Sequence, residues 1–123
     1  MNYNDYEQIK KLIDNYFLAV SEADTNTLKS IFHESASMYG YLGDAPVLGT
    51  PEIFYADLES KPSMKEQNIS CTMVLKNIDI HNSVATASIF VDNFYGASKV
   101  LDLFHLIKIN NEWKIVCKTF TTL

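Results

Sequence analysis

The sequence predicts an α+β protein in which three N-terminal helices are wrapped by a cone-shaped, curved antiparallel β-sheet. Two observations lead to this fold class. In the first half of the chain, apolar residues recur every three or four positions, which is typical of helices packed on one side. From Asn68 onward the period changes to two, and the apolar segments are separated by short turns. Short turns join antiparallel neighbours, so these segments form one sheet.

The first helix is indicated by a capping motif and an apolar stripe. Asn4 and Glu7 have the spacing of a capping box, in which each side chain satisfies a free backbone N–H of the other. The stripe that follows steps by three and four residues along one face. It comprises Tyr6, Ile9, Ile13, Tyr16 and Val20.

Two shorter helices and a hairpin follow. Asp24 is placed to cap the second helix, and residues 35–50 predict two short strands around Gly43. Pro51 suits the first turn of a third helix because its φ is already helical, and Pro62 prevents that helix from continuing. The apolar residues are Leu28, Ile31 and Phe32 in the second helix and Ile53, Phe54 and Leu58 in the third.

Four strands are predicted at residues 69–80, 84–95, 99–109 and 113–120. The third of them is apolar on both faces, so each face must be covered. The helices can cover one face. We expect the other, with Val100, Phe104 and Leu106, to pack against a second copy of the chain, which predicts a homodimer through the sheet face.

Composition limits the function classes. The 123 residues suit one domain spanning 1–123. The net charge of -5, from 10 basic and 15 acidic residues, argues against binding to nucleic acid or anionic membrane. No targeting or membrane-spanning segment is apparent, and Cys71 and Cys117 suit free thiols in a cytoplasmic protein. The three histidines lack metal-ligand spacing, and no phosphate loop exists, so we expect no metal and no cofactor.

Two stretches of the sequence resemble a known group. Residues 16–24 with 28–33 resemble the opening of the nuclear transport factor 2-like superfamily. Residues 102–108 with 113–118 are similar to a bacterial branch labelled putative lumazine-binding. The resemblance spans essentially the whole chain. It implies a single domain with a cystatin-like α+β barrel, a homodimer, and a pocket inside each cone, but no particular chemistry.

The superfamily includes ketosteroid isomerase, and its site can be compared residue by residue. Tyr16 matches the helix-one tyrosine of that enzyme's oxyanion hole, and His105 falls where the enzyme keeps a protonated aspartic acid. The general-base aspartate falls near Gly40, beside Tyr39, where this sequence has no carboxylate. This departure argues against steroid-isomerase chemistry.

Period two predicts which polar residues enter the pocket. His105 shares a face with Leu101 and Leu103, and the matching register turns Asp92 and Lys118 inward. Asp102 has the opposite parity, which a β-bulge could reverse. The expected pocket therefore combines Tyr16, Asp92, His105 and Lys118 with the aromatic residues Phe90, Phe94, Phe120, Tyr39 and Phe54.

Three functions remain open. The leading hypothesis is a homodimer that binds a small, partly apolar, cyclic or aromatic molecule. The second is a cofactor-independent isomerase, dehydratase or cyclase that uses Asp92 or His105 as base and Tyr16 as hydrogen-bond donor. The third is a dimerisation module with a vestigial pocket. Binding leads because Gly40 removes the family's usual position for a catalytic carboxylate.

Overall fold

The computed structural model describes residues 3–123, and it has the predicted α+β architecture. Two helices open this part of the chain and a third lies between strands. In chain order the elements are α1 (Tyr3–Glu22), α2 (Thr25–Ile31), β1 (Phe32–Leu42), β2 (Ala45–Gly49), α3 (Glu52–Glu59), β3 (Thr72–His81), β4 (Val84–Phe94), β5 (Ser98–Ile109) and β6 (Glu112–Thr122). Strand β1 begins directly after α2, and β3 begins three residues later than predicted.

The six strands form one mixed sheet in the order β2-β1-β6-β5-β4-β3. Every neighbouring pair is antiparallel except β1 and β6, which run parallel. The sheet is therefore mostly antiparallel, and its one parallel pair joins β1 to β6. A tight hairpin sets the direction of β6 relative to β5, whereas no short connection constrains β6 relative to β1.

Helix α1 packs its predicted stripe into the core. Ile9, Ile13, Tyr16 and Val20 are all buried, and α1 contacts β3 and β6. Asn4, predicted to precede the helix as its cap, lies inside it. The predicted cap of α2 is confirmed, because the backbone N–H of Thr27 donates to Asp24 Oδ1 at 3.1 Å.

A buried polar contact ties the start of α1 to the far end of the sheet. Asp5 Oδ1 accepts hydrogen bonds from Lys108 Nζ at 2.7 Å and from Trp113 Nε1 at 3.1 Å. Lys108 and Trp113 are paired residues of β5 and β6 next to their connecting hairpin. This contact, the Asp5 latch, therefore joins α1 to residues of two strands that lie more than 100 residues later in the chain.

Two irregularities decide which side chains face the helices. Between β4 and β5 the register shifts after Val91, and β6 has one extra residue, Val116, opposite the step from His105 to Leu106. Side chains alternate between faces with period two, so each extra residue moves the following side chains to the other face. In β6 the inward residues are therefore Trp113 and Ile115 before the bulge, then Lys118 after it.

The inner face of β5 is the one opposite to the prediction. Val100, Phe104 and Leu106 are buried within the chain itself, so they do not require a second copy to cover them. The outer face carries Leu103, which is 45% exposed, and the exposed His105. Across residues 3–123, none of the helices has the length and apolar character needed to cross a membrane.

Candidate functional site

A cavity of about 360 Å³ lies between α1, α3 and the inner face of the sheet. All six strands contribute to its wall, together with the loop that joins β4 to β5. Its walls are mostly aliphatic and aromatic. A volume of this size lies at the lower end of the range for small-molecule sites, which suits a compact ligand.

Three polar residues from three elements meet in the interior of this cavity. Tyr16 comes from α1, Asp102 from β5 and Lys118 from β6, and each is at most 6% exposed. Lys118 Nζ donates a hydrogen bond to Tyr16 Oη at 2.9 Å and lies 3.9 Å from Asp102 Oδ1. The second distance allows attraction between charges but is too long for a hydrogen bond. We call these three residues the inner polar cluster.

Aromatic rings surround the amine of the inner polar cluster. Lys118 Nζ lies 4.0 Å from the ring centre of Phe54, 5.3 Å from that of Phe120 and 5.6 Å from that of Tyr16. The electron-rich face of an aromatic ring attracts a cation, so these rings replace part of the hydration that the amine loses. The amine is thereby held in an apolar part of the molecule.

Burial shifts the protonation of all three groups. It raises the pKa of Asp102, which nearby Lys118 partly offsets. Burial likewise lowers the pKa of Lys118, and Asp102 opposes that change. The pKa of Tyr16 is raised well above its ordinary value by burial and by the charge of Asp102. Tyr16 therefore remains a neutral hydroxyl, and the acid and the amine are both drawn toward their uncharged forms.

Two buried side-chain atoms among the described residues have no hydrogen-bond partner, and both belong to residues that line this cavity. They are Asp102 Oδ1 and Tyr95 Oη. Buried polar atoms in folded proteins are nearly always paired, because an unpaired one costs about 1–3 kcal/mol. Both atoms therefore belong to residues of one and the same cavity wall.

The opening of the cavity is lined by the β4–β5 loop and by α3. Asp57, Ile53 and Leu42 are exposed lining residues. Tyr95 has a φ of +50°, a left-handed conformation that is uncommon for a bulky residue. Its ring lies 4.0 Å from Lys61 Nζ, and burial together with Asp57 raises the pKa of its hydroxyl.

The structure brings five of the predicted site residues to the cavity. These are Tyr16, Lys118, Phe54, Phe94 and Phe120. Phe94 reaches it because of the register shift in β4, and Lys118 and Phe120 because of the bulge in β6. Whether they bind a natural ligand remains a prediction.

The other four predicted residues lie elsewhere. His105 is exposed on the outer face, because its neighbours Phe104 and Leu106 point inward. Phe90 points outward for the same reason, between the buried Ile89 and Val91. The prediction that His105 shares a face with Lys118 is therefore wrong.

Asp92 and Tyr39 also lie outside the cavity wall. Asp92 is half-buried near the end of β4, paired with Thr72 and close to Cys71. Tyr39 is 44% exposed, since its neighbour Met38 lines the cavity and successive side chains of a strand point to opposite faces. The acid in the cavity with Tyr16 is Asp102, which was predicted to lie on the opposite face because it shares the parity of Phe104; the structure turns that face inward.

Gly40 is constrained by packing against β6. A Cβ at this position would overlap the backbone oxygen of Phe120 and lie 2.5 Å from a ring carbon of the same residue. A carboxylate side chain at position 40 would therefore require β6 to move. Sequence reasoning also missed Tyr95, because it was predicted to end a strand on the face opposite to Phe94, whereas β4 ends at Phe94 and Tyr95 lies in the turn that follows.

Comparison with known proteins agrees with this architecture. Residues 4–121 match the family described as "putative lumazine-binding". No curated protein matches the sequence. An NTF2-like protein of unknown function from Methylobacillus flagellatus KT is 26% identical with a TM-score of 0.88, over 100% of this chain and 95% of its own.

Two further solved structures share the fold. An NTF2-like protein of unknown function from Shewanella baltica OS155 is 23% identical with a TM-score of 0.86, over 100% of this chain and 98% of its own. A ketosteroid isomerase-like protein from Erwinia carotovora atroseptica SCRI1043 is 12% identical with a TM-score of 0.72, over 99% and 98%. Because the family match covers nearly the whole chain and the fold agrees with it, this chain belongs to the putative lumazine-binding family of NTF2-like proteins.

Proposed function

We propose that this chain binds a compact, uncharged cyclic molecule in the cavity, with one polar edge directed at the inner polar cluster. The observation that carries the proposal is the pair of unpartnered buried atoms, Asp102 Oδ1 and Tyr95 Oη, in the wall of one cavity. A ligand N–H or O–H would satisfy Asp102. A vestigial pocket offers no reason for polar atoms to remain unpaired in it.

The inner polar cluster also suits a hydrogen-bond acceptor on the ligand. Tyr16 Oη accepts from Lys118, so its own proton is available to donate. Asp102 and Lys118 together carry no net charge, both as an ion pair and as a neutral acid and amine, which favours a neutral ligand over an anion or a cation. A ring with adjacent carbonyl and N–H groups has this combination, and lumazine, which the family's description names, is one example.

The geometry does not support the enzyme hypothesis based on Asp92 or His105. His105 on the outer face cannot act on a molecule that Tyr16 contacts from the inner face, and Asp92 is not part of the cavity wall. We further propose that the chain forms a homodimer through the outer face of the sheet, where Leu103 and His105 are exposed. Binding would then take place in each subunit separately, because the cavity lies on the other side of the sheet.

Titration with lumazine, followed by calorimetry or by the fluorescence of the probe, tests the binding proposal. We expect one site per chain, and Asp102→Asn should weaken affinity about tenfold or more because the carboxylate acceptor is lost. Asp92→Asn is the matched control, since it makes the same change on β4 outside the cavity wall. Equal weakening by both variants would contradict the proposed site. Failure of lumazine and of neutral aromatic alcohols to bind at all would contradict the proposed function.

A further inference from the structure

We propose that Lys118 is a reactive amine that forms a covalent imine with an aldehyde or ketone group of the bound molecule. This inference rests on the proposed binding function, and it adds a substrate class and a bond-forming step to it. Three features of the structure support it: the position of the Lys118 amine, the side chains of Tyr16 and Asp102 beside it, and the balance of charge in the cavity.

The position of the amine suits attack on a ligand. Lys118 lines the cavity, and its side chain is 7% exposed, so that a carbonyl carbon can reach Nζ only from the cavity. One hydrogen bond, to Tyr16 Oη, fixes its direction. Lysines that form imines in enzymes are typically desolvated in apolar pockets, as this one is among the rings of Phe54 and Phe120.

The protonation of the cluster supplies the nucleophile. Burial lowers the pKa of Lys118 and raises that of Asp102, and both shifts increase the fraction of molecules in which a neutral amine stands beside a neutral carboxylic acid. Asp102 Oδ1 lies 3.9 Å from Nζ, close enough to take up the ammonium proton after a small movement. The amine lone pair is then free to attack.

The reaction balances with the groups present. The lone pair of Nζ forms a bond to the carbonyl carbon, while the C=O π electrons move to oxygen and Tyr16 donates a hydrogen bond to it. Proton transfer from nitrogen to oxygen gives a carbinolamine. Asp102 then donates its proton to the hydroxyl, which leaves as water, and the nitrogen lone pair forms the C=N bond. The products are an iminium ion on Lys118, the Asp102 carboxylate and one water molecule.

The charge of the cavity favours a carbonyl compound over a carboxylic acid. The carboxylate of an acidic ligand would lie close to buried Asp102. The positive charge of Lys118 would not attract it, because Asp102 already balances that charge. A neutral aldehyde enters without a charge of its own, and the iminium that forms regains Asp102 as its counter-ion. Aromatic walls from Phe54, Phe94 and Phe120 suit an aryl group on the carbonyl compound.

Reductive trapping tests this chemistry on the intact chain. The protein is incubated with benzaldehyde and sodium cyanoborohydride, which reduces an imine to a stable amine, and labelled peptides are mapped by mass spectrometry. We expect one benzyl group on Lys118, added at least about tenfold faster than on exposed Lys76 in the same molecules. This internal comparison needs no variant that has to fold.

Two variants identify the groups that assist. Asp102→Asn should slow labelling of Lys118 by about 10²-fold, because the proton donor and acceptor is lost. Lys76→Met is the control and should leave labelling of Lys118 unchanged. Benzyl alcohol, which has the same ring but no carbonyl, measures binding alone. If benzyl alcohol binds while Lys118 reacts no faster than Lys76, the imine proposal is wrong and the binding proposal stands. If neither compound binds and Lys118 is not labelled, both are wrong for aromatic ligands.

Discussion

At the scale of single residues, the most unusual feature of this protein is a buried amine close to a buried acid. In the pairing of β5 with β6, Phe104 stands opposite Lys118 and Asp102 stands opposite Phe120. Lys118 and Asp102 are therefore diagonal neighbours. A buried pair of this kind contributes little net stability, because both groups lose their hydration. Its presence in a cavity wall is therefore an argument for the binding function that we propose.

The pair makes a clear stability prediction. Lys118→Met leaves Asp102 buried beside no positive charge, and we expect it to lower the free energy of unfolding by about 3 kcal/mol. The double variant Lys118→Met with Asp102→Leu should recover most of this loss, because two apolar side chains replace two polar ones. Urea denaturation of both variants measures the difference. Lys76→Met, on an exposed side chain, should change stability by less than about 0.5 kcal/mol. If the double variant is no more stable than the single one, the two side chains are not coupled.

At the scale of elements, α1 is held by its apolar stripe and by the Asp5 latch. The hydrogen bond from Lys108 and that from Trp113 lower the pKa of Asp5 from its ordinary value of 3.8, and burial opposes them. The folded state thus binds this proton less tightly than the unfolded state does. The stabilisation is fully present above pH 3.8 and is lost as the pH falls through the lower value of the folded state.

Asp5→Asn tests the latch through its pH dependence. The variant keeps the size of the side chain but loses the charge that Lys108 contacts, so it should be less stable than the natural protein at neutral pH. The difference should shrink as the pH falls below 3.8. Thermal unfolding at a series of pH values measures it. Asp14→Asn, an exposed acid on the same helix, is the control. A difference that does not vary with pH would show that the charge of Asp5 has no role.

At the scale of the whole molecule, the outer face of the sheet is the surface left without cover. Leu103 is 45% exposed at its centre, on the face opposite to the helices. We expect two copies to associate through this face, since burial of such apolar area stabilises both. Leu103→Glu should therefore convert a dimer to a monomer in light scattering at micromolar concentration. Leu18→Glu, which alters a 56% exposed leucine on α1, should leave the mass unchanged. A monomer mass for the natural protein would contradict the dimer.

Local sequence was sufficient for much of the fold. The apolar stripe from Ile9 to Val20 predicted α1 because the buried face of a helix carries an apolar residue every three or four positions. Asp24 predicted the start of α2 because a cap bonds to a residue three positions away. The resemblance to NTF2-like proteins was confirmed by the family match and by the fold. These features depend on neighbours in the chain or on the pattern of the whole sequence, so they could be determined without the structure.

The composition of the site was decided by tertiary structure. Tyr16 and Lys118 were predicted correctly as cavity residues, but Asp102 replaced His105 as their polar neighbour. The reason is the bulge at Val116, whose position depends on how β5 and β6 pair. One extra residue moves every later side chain to the opposite face, and no local pattern marks where it occurs. The sequence by itself therefore determined the fold and the family, whereas strand pairing decided which side of the sheet each polar residue occupies.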